Sequence, residues 1–401
     1  MNICKKFYCR VYQFAFHAAL PFLPYREPKI LKNTEAISLE IDLMNIRSVL
    51  LITDEFLRSS GLTASLESCL EKHDIKCVVY DKTRPNPTVE NVEEALALYH
   101  ANDCGALVAF GGGSAMDCAK AVGARIVYPK RSINSLRGNL KIFRRLPPLF
   151  AVPTTAGTGS EVTLTAVITD SAKKHKYTLN SFPLIPRYAV LDPGVTYSLP
   201  KGLTATTGMD ALTHAVEAFI GRSTSKETRR LSKEAVELIF QNIETAYADP
   251  YDEVARRNML TAAYKAGIAF SKSYVGYIHA VAHSLGGQYN VPHGLANSVI
   301  MPVVLRMYGS HVYRSLKDLA VCAHIADAND TPEMAAEKFI SAIENLNMRM
   351  EIPKTISGIL ESDIPIMARH ADKEANPLYP VPKLMNAAEL EEIYRKVADR
   401  R

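Results

Sequence analysis

A change of texture near residues 193–200 limits the fold more than any other feature of this sequence. Before it, short apolar runs alternate with polar, helix-capable segments. The runs at 47–53 (RSVLLIT), 75–80 (IKCVVY) and 104–110 read as buried strands, and 149–152, 164–169 and 188–191 continue the series. Between them, 89–101 and an alanine-rich stretch ending near residue 127 read as helices. Strands that alternate with helices pack as a parallel sheet covered on both faces. After Pro200 strand signals nearly vanish. The segments 203–220, 226–247, 251–271, 279–288, 296–310, 316–326, 331–347 and 387–399 space their apolar residues for helices. The expected fold class is an α/β N-terminal domain with a parallel sheet, followed by an all-helical C-terminal domain. The expected divisions are 1–40 for an N-terminal extension, 41–199 for the α/β domain and 200–401 for the helical one.

Composition excludes several classes. The 401 residues are 47% hydrophobic and 22% charged, enough apolar surface for packed cores and too little charge for a disordered chain. No run reaches the roughly 18 apolar residues that would span a bilayer. The net charge of +5 is small for this length and carries no expectation of a nucleic-acid partner, which needs cations clustered on one face. Seven cysteines, an odd number with no CxxC pair, argue against a disulfide framework and a cysteine-built zinc site. They fit a reducing, cytoplasmic location. At the N-terminus, Lys5, Lys6 and Arg10 precede a moderately apolar stretch over 11–23, the outline of a signal peptide. Gln13 and His17 interrupt that stretch, and no small-x-small cleavage site follows. A terminal helix packed on the protein is expected, with a helix lying on a membrane surface as its rival.

Chemistry enters with the glycines. Gly111, Gly112 and Gly113 follow the third strand and Ser114 opens a helix. Such a turn lets the backbone approach a ligand closely, and the helix start offers unpaired N–H groups to a phosphate. Ser114 and Asp117 have the spacing of an N-cap pair. The spacing is not GxGxxG, so the turn by itself is equally a plain strand-to-helix connection. A second passage, PTTAGTGSEVT at 153–163, sets hydroxyls and free amides at the end of another strand, where open α/β sheets bind ligands. Asp54, ending the first strand, and Asp81, ending the second, are rival carboxylates for the hydroxyls of an adenosine ribose, and the residues alone do not separate them.

The second half carries a different constellation. Asp210 and His214 in GMDALTHAVEAF lie four apart, on one face of a helix. His279 and His283 in HAVAHSLGG repeat the spacing, and His293 follows in VPHG. One carboxylate and several imidazoles from separate helices suit a divalent transition metal. The HExxH pattern of zinc peptidases is absent, because residue 280 is Ala280. A single histidine is most simply a hydrogen-bonded core residue, and Asp210 could serve a helix start. Spacing leaves open which three histidines bind.

GGGSAMDCAK, PTTAGTGSEVT, GMDALTHAVEAF and HAVAHSLGGQYNVPHGLANSV, in that order, together resemble the iron-containing (group III) alcohol dehydrogenases. The resemblance runs from about residue 45 to the C-terminus, and the first 40 or so residues match poorly. It implies a dinucleotide-binding α/β domain, a helical metal-binding domain and an active site in the cleft between them. It implies Asp210, His214, His279 and His293 as metal ligands, with Fe(II) as the usual metal and zinc an alternative. It implies His283 beside the nicotinamide as a proton relay. For NAD it implies Gly112, Gly113 and Ser114 at the pyrophosphate, Thr154, Thr155 and Thr158 in a contacting loop, Asn86 and Lys176 as further contacts, and Asp54 rather than Asp81 as the acid that selects NAD over NADP. The expected reaction is metal-dependent hydride transfer between NAD(H) and a small alcohol/aldehyde pair by an enzyme expected to be a homodimer. A glycerol dehydrogenase-like or dehydroquinate synthase-like enzyme on the same fold is the alternative, although the complete HAVAH…PHG pattern argues against both. A non-catalytic module that keeps a metal for stability is the reading outside catalysis.

Overall fold

The computed structural model describes residues 1–171 and 175–399. They form two compact units, one of residues 24–199 and the other of 1–23 with 200 onward.

In the first unit, β1 (Lys29–Leu31), α2 (Glu35–Leu43), β2 (Ser48–Ile52), α3 (Glu55–Ser59), α4 (Ala64–Lys72), β3 (Lys76–Tyr80), α5 (Val89–Ala101), β4 (Ala106–Gly111), α6 (Gly113–Val127), β6 (Leu149–Pro153) and β9 (Tyr188–Val190) follow helix α1 (Ile3–Ala19) of the other unit. Their six strands make one parallel sheet in the order β1-β9-β6-β4-β2-β3. The central strands are apolar at almost every position because both faces are covered. Alternation sorts their side chains: Leu50, Ile52, Leu107, Ala109 and Ala151 face α5 and α6, whereas Val49, Leu51, Val108, Phe110 and Phe150 face α2 and α4. A small sheet of β5 (Gly138–Asn139), β8 (His175–Asn180) and β7 (Thr165–Asp170) flanks it, with β7 and β8 antiparallel.

This order fixes where a ligand can sit. The chain runs from β2 outward to β3, then crosses back to β4 on the other side of β2. Such a switch point opens a crevice at the carboxyl ends of the two central strands. Thr53 and Asp54 leave β2 there, the glycine turn leaves β4, and the threonine loop leaves β6.

The expected N-terminal extension to residue 40 is corrected. Lys29–Leu31 pair with β9, and α2 is packed by Ile37 and Ile41, so these residues belong to the α/β unit. Strand β8 was not among the expected elements, although Tyr177 and Leu179 alternate inward.

The second unit is helical: α1, α7 (Lys201–Ile220), α8 (Lys226–Ala248), α9 (Glu253–Ser273), α10 (Tyr277–Tyr289), α11 (His293–Tyr308), α12 (Tyr313–Cys322), α13 (Pro332–Arg349), α14 (Ile364–Ala375) and α15 (Ala387–Val397). Helix α7 is its axis, packed against α8, α9 and α11 and buried along most of its length. Gly208 lets Ile243 of α8 and Met259 of α9 close onto it. Asn290, in the left-handed region at φ 55°, ends α10, and Pro292 starts α11 two residues later. That short turn folds α11 back against both α10 and α7. Helix α14 was unexpected, yet its Ile364, Met367, Ala368 and Ala371 share one buried face.

Candidate metal centre and cofactor crevice

In the helical unit, α7 presents Asp210 and His214 one turn apart, α10 presents His279, and α11 presents His293 as its first residue. One ligand atom from each lies within 4.8 Å of every other. The Nε2 atoms of His293 and His279 stand 3.5 and 4.0 Å from Asp210 Oδ1. Asp210, His214 and His279 are buried, and His293 is partly exposed. Asp210 sits mid-helix, so it has no role at a helix start.

The imidazole of His279 is held from behind. Its Nδ1 lies 2.6 Å from Glu217 Oε2, and the same carboxylate accepts the Gly276 and Ile278 N–H groups at 2.7 and 2.8 Å. Glu217 therefore caps the start of α10, where a carboxylate also favours the helix dipole. Burial pushes its carboxyl up to about 7 against the pull of those N–H groups. Burial and the neighbouring imidazoles hold His279 well below the ordinary histidine range, in the neutral form that a metal requires. With Nδ1–H donating to Glu217, the Nε2 lone pair points into the cluster. Asn297, one turn after His293, marks that point: its Nδ2 donates to Asp210 Oδ1 at 2.7 Å and lies 3.1 and 3.3 Å from Nε2 of His293 and His279. An amide nitrogen within reach of two imidazole nitrogens and a carboxylate oxygen marks a point where a donor set converges closely enough for a cation.

His283 lies outside this cluster. Its ring stacks on His293 at 5.2 Å between centroids, and its Nδ1 meets Glu374 Oε1 at 2.7 Å. Tyr379 donates to the same carboxylate oxygen at 2.7 Å. The outer nitrogen is thus anchored at the edge of the metal cluster by a side chain that remains partly open to solvent.

The α/β unit gathers the other candidates at the switch point. Gly112 is the N-cap of α6, and no side chain caps that helix. The Ser114–Asp117 capping pair is corrected accordingly. Ser114 lies inside the first turn and accepts the Asn86 N–H at 3.3 Å, while Asp117 turns inward to accept from Ser160 Oγ and the Val167 N–H. Among the described residues, then, no side chain caps the first N–H groups of α6, as a phosphate seat requires. The glycines are packed rather than merely flexible. A Cβ on Gly113 would come within 3.1 Å of Thr158, and one on Gly112 within 3.5 Å of Thr155. Thr154 N–H donates to Gly111 O, tying the two loops together.

Lys120 clamps the threonine loop from below. Fully buried, it donates to Ser160 Oγ, Thr163 Oγ1 and the Thr163 and Thr165 carbonyls at 2.8–3.0 Å. Burial lowers it to about 8, a shift that nearby Asp117 and Glu161 resist. Asp54 caps α3 by accepting the Leu57 N–H at 2.9 Å. It ends the strand next to the glycine turn, whereas Asp81 ends the strand beyond. Lys176, exposed on β8, pairs with Thr169, whose N–H bonds Pro87 O in the Asn86 loop.

Glu217, Asn297, Glu374 and Lys120 were missed in the sequence. Two were in reach: Glu217 stands seven residues after Asp210 and Asn297 four after His293, both on the ligand face. Nothing local marks Glu374, which meets His283 across 91 residues.

Residues 29–193 match the family described as "Iron-containing alcohol dehydrogenase", and residues 204–398 match "Fe-containing alcohol dehydrogenase family, C-terminal". The chain is 37% identical over 361 residues to 1,3-propanediol dehydrogenase of Klebsiella pneumoniae, covering 88% of this chain and 92% of that one. It is 35% identical over 333 residues to NAD-dependent methanol dehydrogenase of Bacillus methanolicus, covering 81% and 86%. The crystal structure of a 1,3-propanediol oxidoreductase superposes with a TM-score of 0.89 at 35% identity, covering 93% of this chain and 99% of that chain.

Proposed function

The chain belongs to the iron-containing alcohol dehydrogenase family and is an NAD-dependent oxidoreductase of alcohols and aldehydes; from that premise we propose which residues carry the reaction and on what substrates. Asp210, His214, His279 and His293 hold one divalent ion, Fe(II) in the first instance with zinc as the substitute. The observation that carries this reading is the convergence of their four ligand atoms within 4.8 Å. When bound, the ion supplies Lewis-acid polarisation of the substrate oxygen, and the nicotinamide supplies or takes the hydride.

The chain's own residues do the rest. Glu217 fixes the tautomer and angle of His279. Asp210 brings a negative charge that offsets part of the ion's own. His283, anchored at Nδ1 by Glu374, holds its other nitrogen at the cluster's edge and passes the alcohol proton toward solvent. Gly112, Gly113 and Ser114 cradle the pyrophosphate at the start of α6. Thr154, Thr155 and Thr158, with Asn86 and Lys176, line the rest of the NAD site, and Asp54 takes the adenosine ribose hydroxyls.

The substrates are short alcohols and aldehydes, in keeping with the propanediol and methanol named for the relatives. Seven free thiols support a reducing, cytoplasmic setting. Homodimer formation is part of the same reading and is checked by light scattering. The deciding experiment is NADH oxidation across a panel of aldehydes and ketones, with metal analysis of the same sample. Bound metal with no turnover on any member of the panel would favour a non-catalytic role.

Two variants test the finer assignments. Asp54 repels a 2′-phosphate, so NADH is expected to be preferred over NADPH by about 1–3 kcal/mol. Asp54→Gly should narrow that gap while costing α3 only a few tenths of a kcal/mol, since glycine is a tolerated N-cap. Better activity of the unmodified enzyme with NADPH would remove Asp54 from the role. For His283→Ala, metal content should be unchanged and turnover slower by about 10²–10⁴-fold. Metal loss in that variant would make His283 a ligand instead of a relay.

A further inference from the structure

Helix α1 is held to the protein largely by polar groups: Arg10 donates to the Val381 and Pro382 carbonyls at 2.7 and 3.0 Å, and buried Gln13 donates to Tyr379 O at 2.7 Å. Cys9 is buried beside them, and Phe16 meets the edge of Tyr274. The outward half carries Ile3, Phe7, Val11 and Phe14 in a row, flanked by Tyr8 and Tyr12. Ile3, Phe7 and Phe14 are 85%, 70% and 73% exposed. The remaining outward positions are alanine or cysteine, so half of a helix about 25 Å long shows water no charged group. A soluble surface seldom leaves so continuous an apolar strip uncovered.

We propose that this face docks on an anionic lipid surface, with α1 lying in the plane of the headgroups. The charge pattern selects the occupant. Residues 1–23 carry no Asp or Glu, and Lys5 and Lys6 are exposed, while the Arg10 guanidinium is taken up by protein carbonyls. Lys5 pairs with Asp372 of α14, and Arg369 and Lys373, both exposed, lie on either side of that aspartate in sequence. Tyr8 and Tyr12 border the apolar strip, as aromatic residues with a polar tip do at headgroup level. No helix among the described residues is long and apolar enough to cross a membrane, so contact is with the surface only.

The test uses the full chain and vesicles of phosphatidylcholine, with and without phosphatidylserine. Full-length protein should sediment with the serine-lipid vesicles, much less with phosphatidylcholine alone, and should be released by salt. Phe7→Ser with Phe14→Ser removes two large anchors from exposed positions and should weaken binding by about tenfold or more. Thermal stability and turnover without vesicles should be unchanged. The proposal is overturned if the full chain ignores anionic vesicles or if the double variant binds them equally well. It is also overturned if light scattering shows a dimer that the double variant splits while vesicle binding is absent, because a second copy then covers the face.

Discussion

Purified His279→Ala protein is expected to carry no stoichiometric metal and to show no measurable NADH oxidation. The imidazole it loses is buried, neutral and held at a set angle by Glu217, and the alanine that takes its place offers the ion no donor atom. Three donors remain, and the Glu217 carboxylate keeps its two backbone N–H partners, so the fold should persist. Glu217→Gln makes a graded companion. It keeps the shape but weakens the orientation of His279, and should reduce metal affinity by about 10–100-fold, the usual scale for an outer partner. His279→Ala should lose more than that. Metal analysis and turnover on the same samples decide the matter. Full occupancy and near-normal turnover in His279→Ala would remove this residue from the site.

Gly294→Ala should be the most damaging small substitution in the helical unit, although alanine is the better helix former by about 1 kcal/mol. Gly294 follows His293 at the start of α11, against the backbone of α7. A Cβ there would overlap the Thr206 carbonyl oxygen and lie 2.9 Å from its carbon. Backbone cannot swing aside as a side chain can. Helix α11 must move away from α7, carrying His293 from Asp210, one turn beyond Thr206. A cost of about 1–3 kcal/mol is typical of overpacking. The melting temperature should fall, and metal affinity should fall with it. An unchanged melting temperature with normal metal content would show that the two helices separate freely.

Much of the architecture was legible because its signals are local. Buried strands of a doubly covered sheet read as continuous apolar runs, so β2, β4 and β6 stand out in the sequence. Strand β1 did not, since it is three residues long, exposed at Lys29 and Ile30, and placed largely by pairing with β9. Capping at α6 was misjudged for a related reason. Ser114 and Asp117 have capping spacing, but Lys120 and the threonine loop draw Asp117 inward, and Gly112 takes the cap.

The sequence by itself determined the two-part architecture, the faces of the individual helices and the residue types offered for chemistry. Periodicity is a property of neighbours along the chain, and so is the four-residue spacing that puts Asp210 with His214 and His279 with His283. Only the tertiary structure decided which histidine faces which partner. The turn at Asn290 and the close approach at Gly294 bring His293 toward Asp210, while His283, one turn from His279 on the same helix, is drawn to Glu374 instead. That choice depends on where α7, α11 and α14 pass α10, and packing between segments tens of residues apart leaves no periodic trace in the sequence.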